Sequence, residues 1–501
     1  MTVWITSYAA ARRHGVYAIS RTPPKMLRPA GTGVVAMVGQ FPWGPDTAST
    51  TPTGTKQMID MFAPPGMSHT ATGYLALLGK AYPTLRIVRP VGGAAAAAVA
   101  ALTSAGPITQ INVTMKYKGA AGNSITCTVA DASDGIGTHC NVTVSVTGAS
   151  GTTSELYANV DNTAVTFVAP TVTSSLLVAS FARNGANVLR PANGTYTAAT
   201  GSDGAITATE YVGTPGAGNL GLALLEGDKS IRHVFVDDCG TGIRAAVNAG
   251  VVAHAILCGD RIGYINGDSA LTAAQTVTNV GTYTRSERVV YCAPWAYIYD
   301  DITGAERLVS PSPFGASVCS QVSPSTSPAW KDGETGAMLA AIIRLETDYG
   351  ASIPDLTDAG IMTLERETDG SFRFEAGVNT YAVTDPSKKN ITRTRIGDYI
   401  AISFVDSVRT MVDAPNVDVN QISLVGALED LLDTLVANQF KDPNHYPYIK
   451  AYTIDPLASV NSTATLAQGD FTIPVEVQCG SNMERIFLSI MFGESVTVTV
   501  S

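Results

Sequence analysis

Apolar residues change their spacing several times along this chain, and each change marks a different kind of element. Residues 31–45, GTGVVAMVGQFPWGP, form a glycine-bounded apolar run ending in a loop with two prolines, the pattern of a buried strand. TGTKQMIDMF (53–62) and ATGYLALLGKAYP (71–83) read as short helices. TLRIVRPVG (84–92) then sets Leu85, Ile87 and Val91 on one face of a second strand, so the opening predicts β-α-α-β.

Near residue 106 the pattern shifts to Thr, Val, Ser, Ala and Gly, with ten charged residues between Pro107 and Gly213. SITCTVA and CNVTVSVTG flank DASDGIGTH, a hairpin signal with Asp-Gly at its turn, and TAVTFVAP and AITATEYVG read as further strands. This predicts an all-β domain inserted into another domain. Alternating α and β return at 219: KSIRHVFVDD (229–238) is a strand, TGIRAAVNAGVVAHA (241–255) a helix, and ERVVYCAPWAYIYD a long strand. That order predicts a parallel, helix-flanked sheet. VSPSPFGASVCSQVSPSTSPAW (309–330) reads as a Ser/Pro-rich connector outside the core.

In the last third, residues 360–383 read as a hairpin turning at Asp369-Gly370. Two amphipathic helices follow. In residues 396–415 the apolar face is Ala401, Phe404, Val405, Val408, Met411 and Val412; in 420–440 it is Val425, Leu428, Leu431, Leu432, Leu435 and Val436. The chain closes on ESVTVTVS, where Val496, Val498 and Val500 alternate with threonines. An apolar strand without Lys or Pro invites pairing with another edge.

The predicted fold class is therefore mixed α+β and α/β, in several domains. These are an N-terminal arm (1–22), a discontinuous α/β middle domain (23–106 and 214–355), an inserted β domain (107–213), a C-terminal α+β domain (356–492) and a C-terminal arm (493–501).

Composition narrows the function. Charged residues are 15% of the chain against 45% hydrophobic, which suits a surface largely covered by partners. A net charge of −10 argues against wrapping nucleic acid. MTVWITSYAAARRHG has no signal-peptide pattern, and GGAAAAAVAALTSAG (92–106) is too short to span a bilayer, so assembly in a cytoplasm without membrane insertion is expected. The seven cysteines show no C-x-x-C spacing. Buried free thiols are the plain reading; Cys127, Cys140, Cys319 and Cys479 are candidates for links between subunits, the first two because the insertion is expected to be exposed.

Catalytic patterns are sparse. Gly216-Ala217-Gly218-Asn219-Leu220-Gly221, with Asp237 beyond it, has the layout of a dinucleotide fingerprint. Yet only about ten residues remain for the helix that a crossover requires. Asp237-Asp238 and Asp300-Asp301 read as solvated or capping carboxylates at strand ends, and the six histidines form no ligand spacing. Neither an enzyme nor a cofactor is expected.

Several stretches together resemble the contractile tail sheath family of bacteriophages and related injection machines. HGVYAIS (14–20) is similar to the family's Gly-Val-Tyr opening, although His14 stands where Pro is commoner. VVAMVGQFPWGP (34–45), YLALLGKAYPTLRIVRPVGGAAAA (74–97), YKGAAGNSITCTV (117–129), LERETDGSFRFEAGVNTYAV (364–383) and RIGDYIAISF (395–404) resemble family segments in the same order. The resemblance implies subunits stacked in rings around an inner tube, held by terminal arms that add strands to neighbours' sheets. It also implies a metastable extended state that contracts to drive the tube through an envelope, with baseplate and tail terminator proteins as further partners in a virion tail. Under it Val3, Ile5, Val496, Val498 and Val500 become arm residues, and Asp430, Asp433 and Lys441 become candidate tube-facing groups. Two other classes fit parts of the sequence: a capsid or fibre subunit, and an NAD-linked enzyme using residues 208–238.

Overall fold

The computed structural model describes residues 33–46, 49–67, 72–82, 84–148, 151–164, 166–300, 304–329, 336–408, 418–436, 449–455, 461, 466 and 471–479, with short strands at 3–5 and 17–19. The chain falls into two compact units, Ala30–Tyr399 and a second made of Met1–Pro29 with Ile400–Ser501.

The larger unit is built on a seven-stranded sheet. Its strands are β3 (Val34–Val38), β4 (Leu85–Val88), β12 (Ile231–Val236), β13 (Ile262–Asn266), β14 (Val289–Ala293), β18 (Ile361–Arg366) and β19 (Phe372–Phe374), in spatial order β19-β18-β14-β13-β12-β3-β4. All neighbours pair in parallel except β18 with β19. The chain order is that of a doubly wound sheet, reversing between β3 and β12.

Alternate residues of each strand enter different cores, as the period of two dictates. Val35, Met37, Phe235, Tyr264 and Cys292 face one layer: α1 (Thr55–Phe62), α2 (Thr72–Ala81), α6 (Ser312–Gln321) and α7 (Gly336–Ala340). A small antiparallel sheet of β15 (Ala296–Asp300), β16 (Ala305–Val309) and β17 (Ile342–Leu345) completes that side. Ala36, Val234, Ile265 and Tyr291 face α3 (Ala208–Val212), α4 (Thr241–Cys258), α5 (Ala273–Val280) and α8 (Ile353–Asp358).

Between β4 and α3 the chain makes a β-sandwich with its own core. One sheet is β5 (Ala97–Thr103), β6 (Thr109–Lys118) and β10 (Val178–Arg183). The other is β7 (Thr126–Asp131), β8 (His139–Gly148), β9 (Gly151–Asp161) and β11 (Gly194–Thr197). The smaller unit holds α10 (Asp418–Val436), the hairpin of β20 (Ile449–Ile454) with β21 (Val475–Cys479), and the parallel pair β1 (Val3–Ile5) with β2 (Tyr17–Ile19). α9 (Ile391–Val408) begins in the larger unit and ends in the smaller.

Several expected elements differ from those found. The Ala-rich run, expected within the middle domain that ends at residue 106, is strand β5 of the sandwich, with Ala98, Ala100 and Leu102 buried in its core. Small side chains at alternate positions let the two sheets approach closely. AITATEYVG is mostly helix α3, started by a Thr207/Glu210 capping box, and TAVTFVAP is irregular where described. The boundary expected at 355/356 cuts through the main sheet, because β18 pairs with β14.

The Ser/Pro-rich "connector" contains α6, nine of whose residues are buried. A Cβ at Gly315 would lie 2.6 Å from the Cys292 sulfur and 3.1 Å from the Tyr264 ring, so only a glycine allows this helix so near the sheet. Arg395, from the first turns of α9, donates to the carbonyls of Cys319 and Val322 at the end of α6, offsetting its exposed carbonyls and dipole. Along α9, Thr392, Arg395, Ile396, Tyr399 and Ser403 are buried; of the expected face, Ala401 and Val405 are exposed and Phe404 is half-buried, while the side chains of Val408, Met411 and Val412 lie outside the described residues.

Candidate assembly surfaces

The β-sandwich is joined to the α/β layer through Arg89, one residue past β4 and fully buried. Its Nε donates to the Phe41 carbonyl at 2.6 Å and Nη1 to those of Lys118 (2.9 Å) and Gly44 (3.2 Å). Nη2 reaches the Pro42 carbonyl and the Asp203 carboxylate. The two crossing strands meet there: the Gly92 amide donates to the Asp203 carbonyl at 2.9 Å, and Ala96 bridges Ser202. Trp43, from the loop after β3, inserts into the sandwich core and donates to the Leu176 carbonyl. At the far end, where β5 turns into β6, β7 into β8 and β10 into β11, the exposed apolar side chains are Ile108, Ile136, Val188 and Leu189.

The crevice where a doubly wound sheet would take a nucleotide is occupied by the protein's own side chains. Asp237, at the end of β12, accepts a hydrogen bond from the Tyr74 hydroxyl at 3.1 Å, and burial raises its pKa. Arg307 stacks over the Tyr74 ring 5.0 Å away. The glycine fingerprint follows α3 rather than a strand and leads into a single tight turn, Gly221–Leu225. Gly221 is there because a Cβ would strike the Tyr211 carbonyl at 2.0 Å. Asp238 accepts from the Gly240 amide just ahead of α4 and from the Arg244 side chain within it. No group of three metal-ligating side chains occurs among the described residues.

The cysteine expectation is overturned in part. Cys127 and Cys140 lie inside the sandwich core and Cys319 inside α6, so none can reach a neighbour from the folded chain. The partly exposed cysteines are Cys239, Cys258 and Cys479. Burial pushes the Cys239 thiol up to about 11, which keeps it protonated. Asp430 and Asp433 lie on the exposed side of α10, opposite buried Leu428, Leu431, Leu432 and Leu435. Asp433 already accepts from the Tyr452 hydroxyl at 2.6 Å, leaving Asp430 as the more available of the two. Val3 and Ile5 belong to β1, which pairs in parallel with β2. Lys441, Val496, Val498 and Val500 lie outside the described residues.

One surface escaped the sequence reading. In α4 the polar side chains point inward: Arg244, Asn248 and His254 are all buried. Arg244 bridges Asp238 and Asp268, and Asn248 donates to the Asn266 carbonyl. Every exposed residue of this helix is Thr, Gly, Ala, Ile or Leu, with Ile256 at 47% and Leu257 at 59%. α4 is also the one helix among the described residues long and apolar enough to cross a membrane. Nothing local in the sequence marks this inversion, because Arg244 and Asn248 find their partners at Asp268, Asn266 and Tyr283.

No family model matches the sequence, and neither does any curated protein. Solved structures do. A sheath tail protein from Desulfitobacterium hafniense is similar with a TM-score of 0.61 at 16% identity, over 88% of this chain and 93% of that one. A sheath tail protein from Listeria innocua gives 0.58 at 15% identity, over 90% and 95%. The helical sheath of the anti-feeding prophage in its contracted state gives 0.54 at 13% identity, over 95% and 98%. The chain has the fold of contractile tail sheath proteins.

Proposed function

We propose that the chain is the structural subunit of a contractile sheath, in a phage tail or a related injection machine. Copies polymerise around an inner tube in a metastable extended state, and contraction drives the tube through a target envelope. The observation that carries this is the fold likeness to sheath chains over 88% or more of the length. The occupied nucleotide crevice and the low charge content support a scaffold over an enzyme.

Within this reading the insertion, redrawn at roughly residues 93–203, is the outward domain, and the smaller unit carries the tube-facing and strand-donating parts. Val3 and Ile5 at one end and Val496, Val498 and Val500 at the other are the arms. Asp430 and Lys441 are tube-facing, and baseplate and terminator proteins cap the polymer. The particle assembles in the cytoplasm as a tail component. Electron microscopy of purified full-length chain tests the proposal. Long hollow cylinders are expected, whereas closed shells, thin fibres or persistent monomers at high concentration overturn it.

A further inference from the structure

Three Asn-Gly pairs occur in the chain: Asn184-Gly185, Asn193-Gly194 and Asn266-Gly267. Such a pair can close on itself, because a glycine without Cβ lets its amide nitrogen approach the asparagine side-chain carbonyl carbon. The fold leaves only the first pair free to do so. Asn266 is buried, its Nδ2 donating to the Gly267 carbonyl at 2.9 Å and its Oδ1 accepting from Ser312 at 2.7 Å. Gly194 opens β11 opposite Val129. Bonded pairs alternate along that ladder, and Ala198 donates to the Ile125 carbonyl, so the Gly194 amide is engaged with Val129. The Asn193 side chain is pinned as well, between Arg190 at 2.7 Å and Asp131 at 2.9 Å. Asn184, just past β10, instead begins a turn in which the Asn187 amide donates to its carbonyl and Gly185 takes a φ of 61°. Gly185 is exposed, a Cβ on it would meet nothing within 4 Å, and its amide has no hydrogen-bond partner among the described residues. One bond holds the Asn184 side chain, 3.2 Å from Nδ2 to the Thr109 carbonyl, and Asn187 serves the same carbonyl at 2.8 Å. Thr109 therefore stays satisfied when Asn184 turns away.

We propose that Asn184 is a site of spontaneous deamidation in the folded chain. The Gly185 nitrogen gives its proton to hydroxide and bonds to the Asn184 side-chain carbonyl carbon. The bond from that carbon to Nδ2 breaks, and Nδ2 leaves as ammonia after taking a proton from water, which restores the hydroxide. Water then opens the cyclic imide at one carbonyl or the other, giving aspartate or its β-linked isomer. The net change is one water consumed and one ammonia released, with no oxidant or metal. Aspartate sets an acceptor against the Thr109 carbonyl where a donor stood. The β-linked isomer lengthens the turn by routing the main chain through the former side chain. That turn leads directly into Val188 and Leu189, and the Leu189 amide is fixed on Gln110 Oε1 at 3.0 Å. The exposed apolar end of the sandwich thus gains a negative charge as the protein ages, independently of any polymer it joins.

The test holds folded full-length protein at mildly alkaline pH in heavy-oxygen water and reads the three pairs by mass on peptides that separate them. Asn184 is expected to convert at least about tenfold faster than Asn193 or Asn266, which must first be freed by local opening. In urea the three rates are expected to converge within about threefold, since each is then a bare Asn-Gly pair in an unfolded chain. Conversion of Asn193 or Asn266 as fast as Asn184 in the folded chain overturns the assignment. So does an Asn184 that stays intact when folded and converts in urea. Asn184→Asp reads the consequence in fresh protein: amide exchange at Val188 and Leu189 should quicken about tenfold, with the thermal midpoint within a few degrees of the parent. Unchanged exchange at both residues overturns the link between this site and the apolar end.

Discussion

Gly315→Ala places a methyl group where the structure leaves no room for one. The new Cβ would sit 2.6 Å from the Cys292 sulfur, about 1 Å inside ordinary contact, with Tyr264 and Met362 at 3.1 and 3.2 Å. Overpacking of this kind costs about 1–3 kcal/mol. Replacing glycine inside a helix returns about 1 kcal/mol, so the net expectation is a loss of about 1 kcal/mol. In a Cys292→Ala background the sulfur is gone, and the Tyr264 ring and Met362 methyl, at 3.1 and 3.2 Å, need to yield by only a few tenths of an ångström into the space it leaves. There the same substitution should stabilise by about 1 kcal/mol, which is the helix contribution alone. The signature is thus a change of sign across the double-mutant cycle, with a coupling of about 1–3 kcal/mol. Hydrogen exchange of β14 and β18 amides reads it where the chain's several domains would blur a global melt. Equal destabilisation in both backgrounds would refute the claim that α6 is held close by this one contact.

Arg89→Met should strip the Phe41, Pro42, Gly44 and Lys118 carbonyls of their buried donor and cost about 3–5 kcal/mol, seen as faster exchange and proteolysis near residues 92–97 and 199–204. His254 is held to about 4, first by burial and then by Arg261, so the unfolded chain binds more protons between that value and 6.5. Stability should therefore fall on acidification through that window, by up to about 3 kcal/mol, and His254→Gln should flatten the fall. Alkylation of native protein at pH 8 should spare Cys127, Cys140, Cys292 and Cys319, and label Cys239 at a rate that climbs toward pH 11. Any reducible ladder on gels should then map to Cys239, Cys258 or Cys479.

Short apolar runs such as VVAMV and IRHVFV were legible as strands because both faces of the main sheet are covered. The hairpin turn was legible for a local reason: Gly370 adopts a positive φ of 88°. α6 was not, because Ser, Gly and Pro read as loop, and only the nearness of Cys292 shows why small residues are required. β5 was hidden because alanine signals neither strand nor burial until a facing sheet is present. The cysteines of the insertion were misplaced because the whole insertion was taken as exposed, whereas alternate positions of its strands face a core of its own. Arg244, Asn248 and His254 sent no signal at all, since their partners lie up to 35 residues away.

Arg89 ties the loop after β3 to the sandwich through main-chain oxygens, which every amino acid supplies alike: Phe41, Pro42 and Gly44 on the loop and Lys118 at the end of β6. Asp203 is its one side-chain partner, and it stands on the returning strand at the doorway rather than in the sandwich core. A mooring with few side-chain demands lets the far end of the module vary freely. Lineages could exchange its distal loops, and a designer could graft an epitope at Ile108, Ile136 or Leu189, without touching Arg89, Asp203 or the seat of Trp43 in the sandwich core. The requirement at the joint would reduce to a cation, a carboxylate, an indole and two strands that enter and leave side by side.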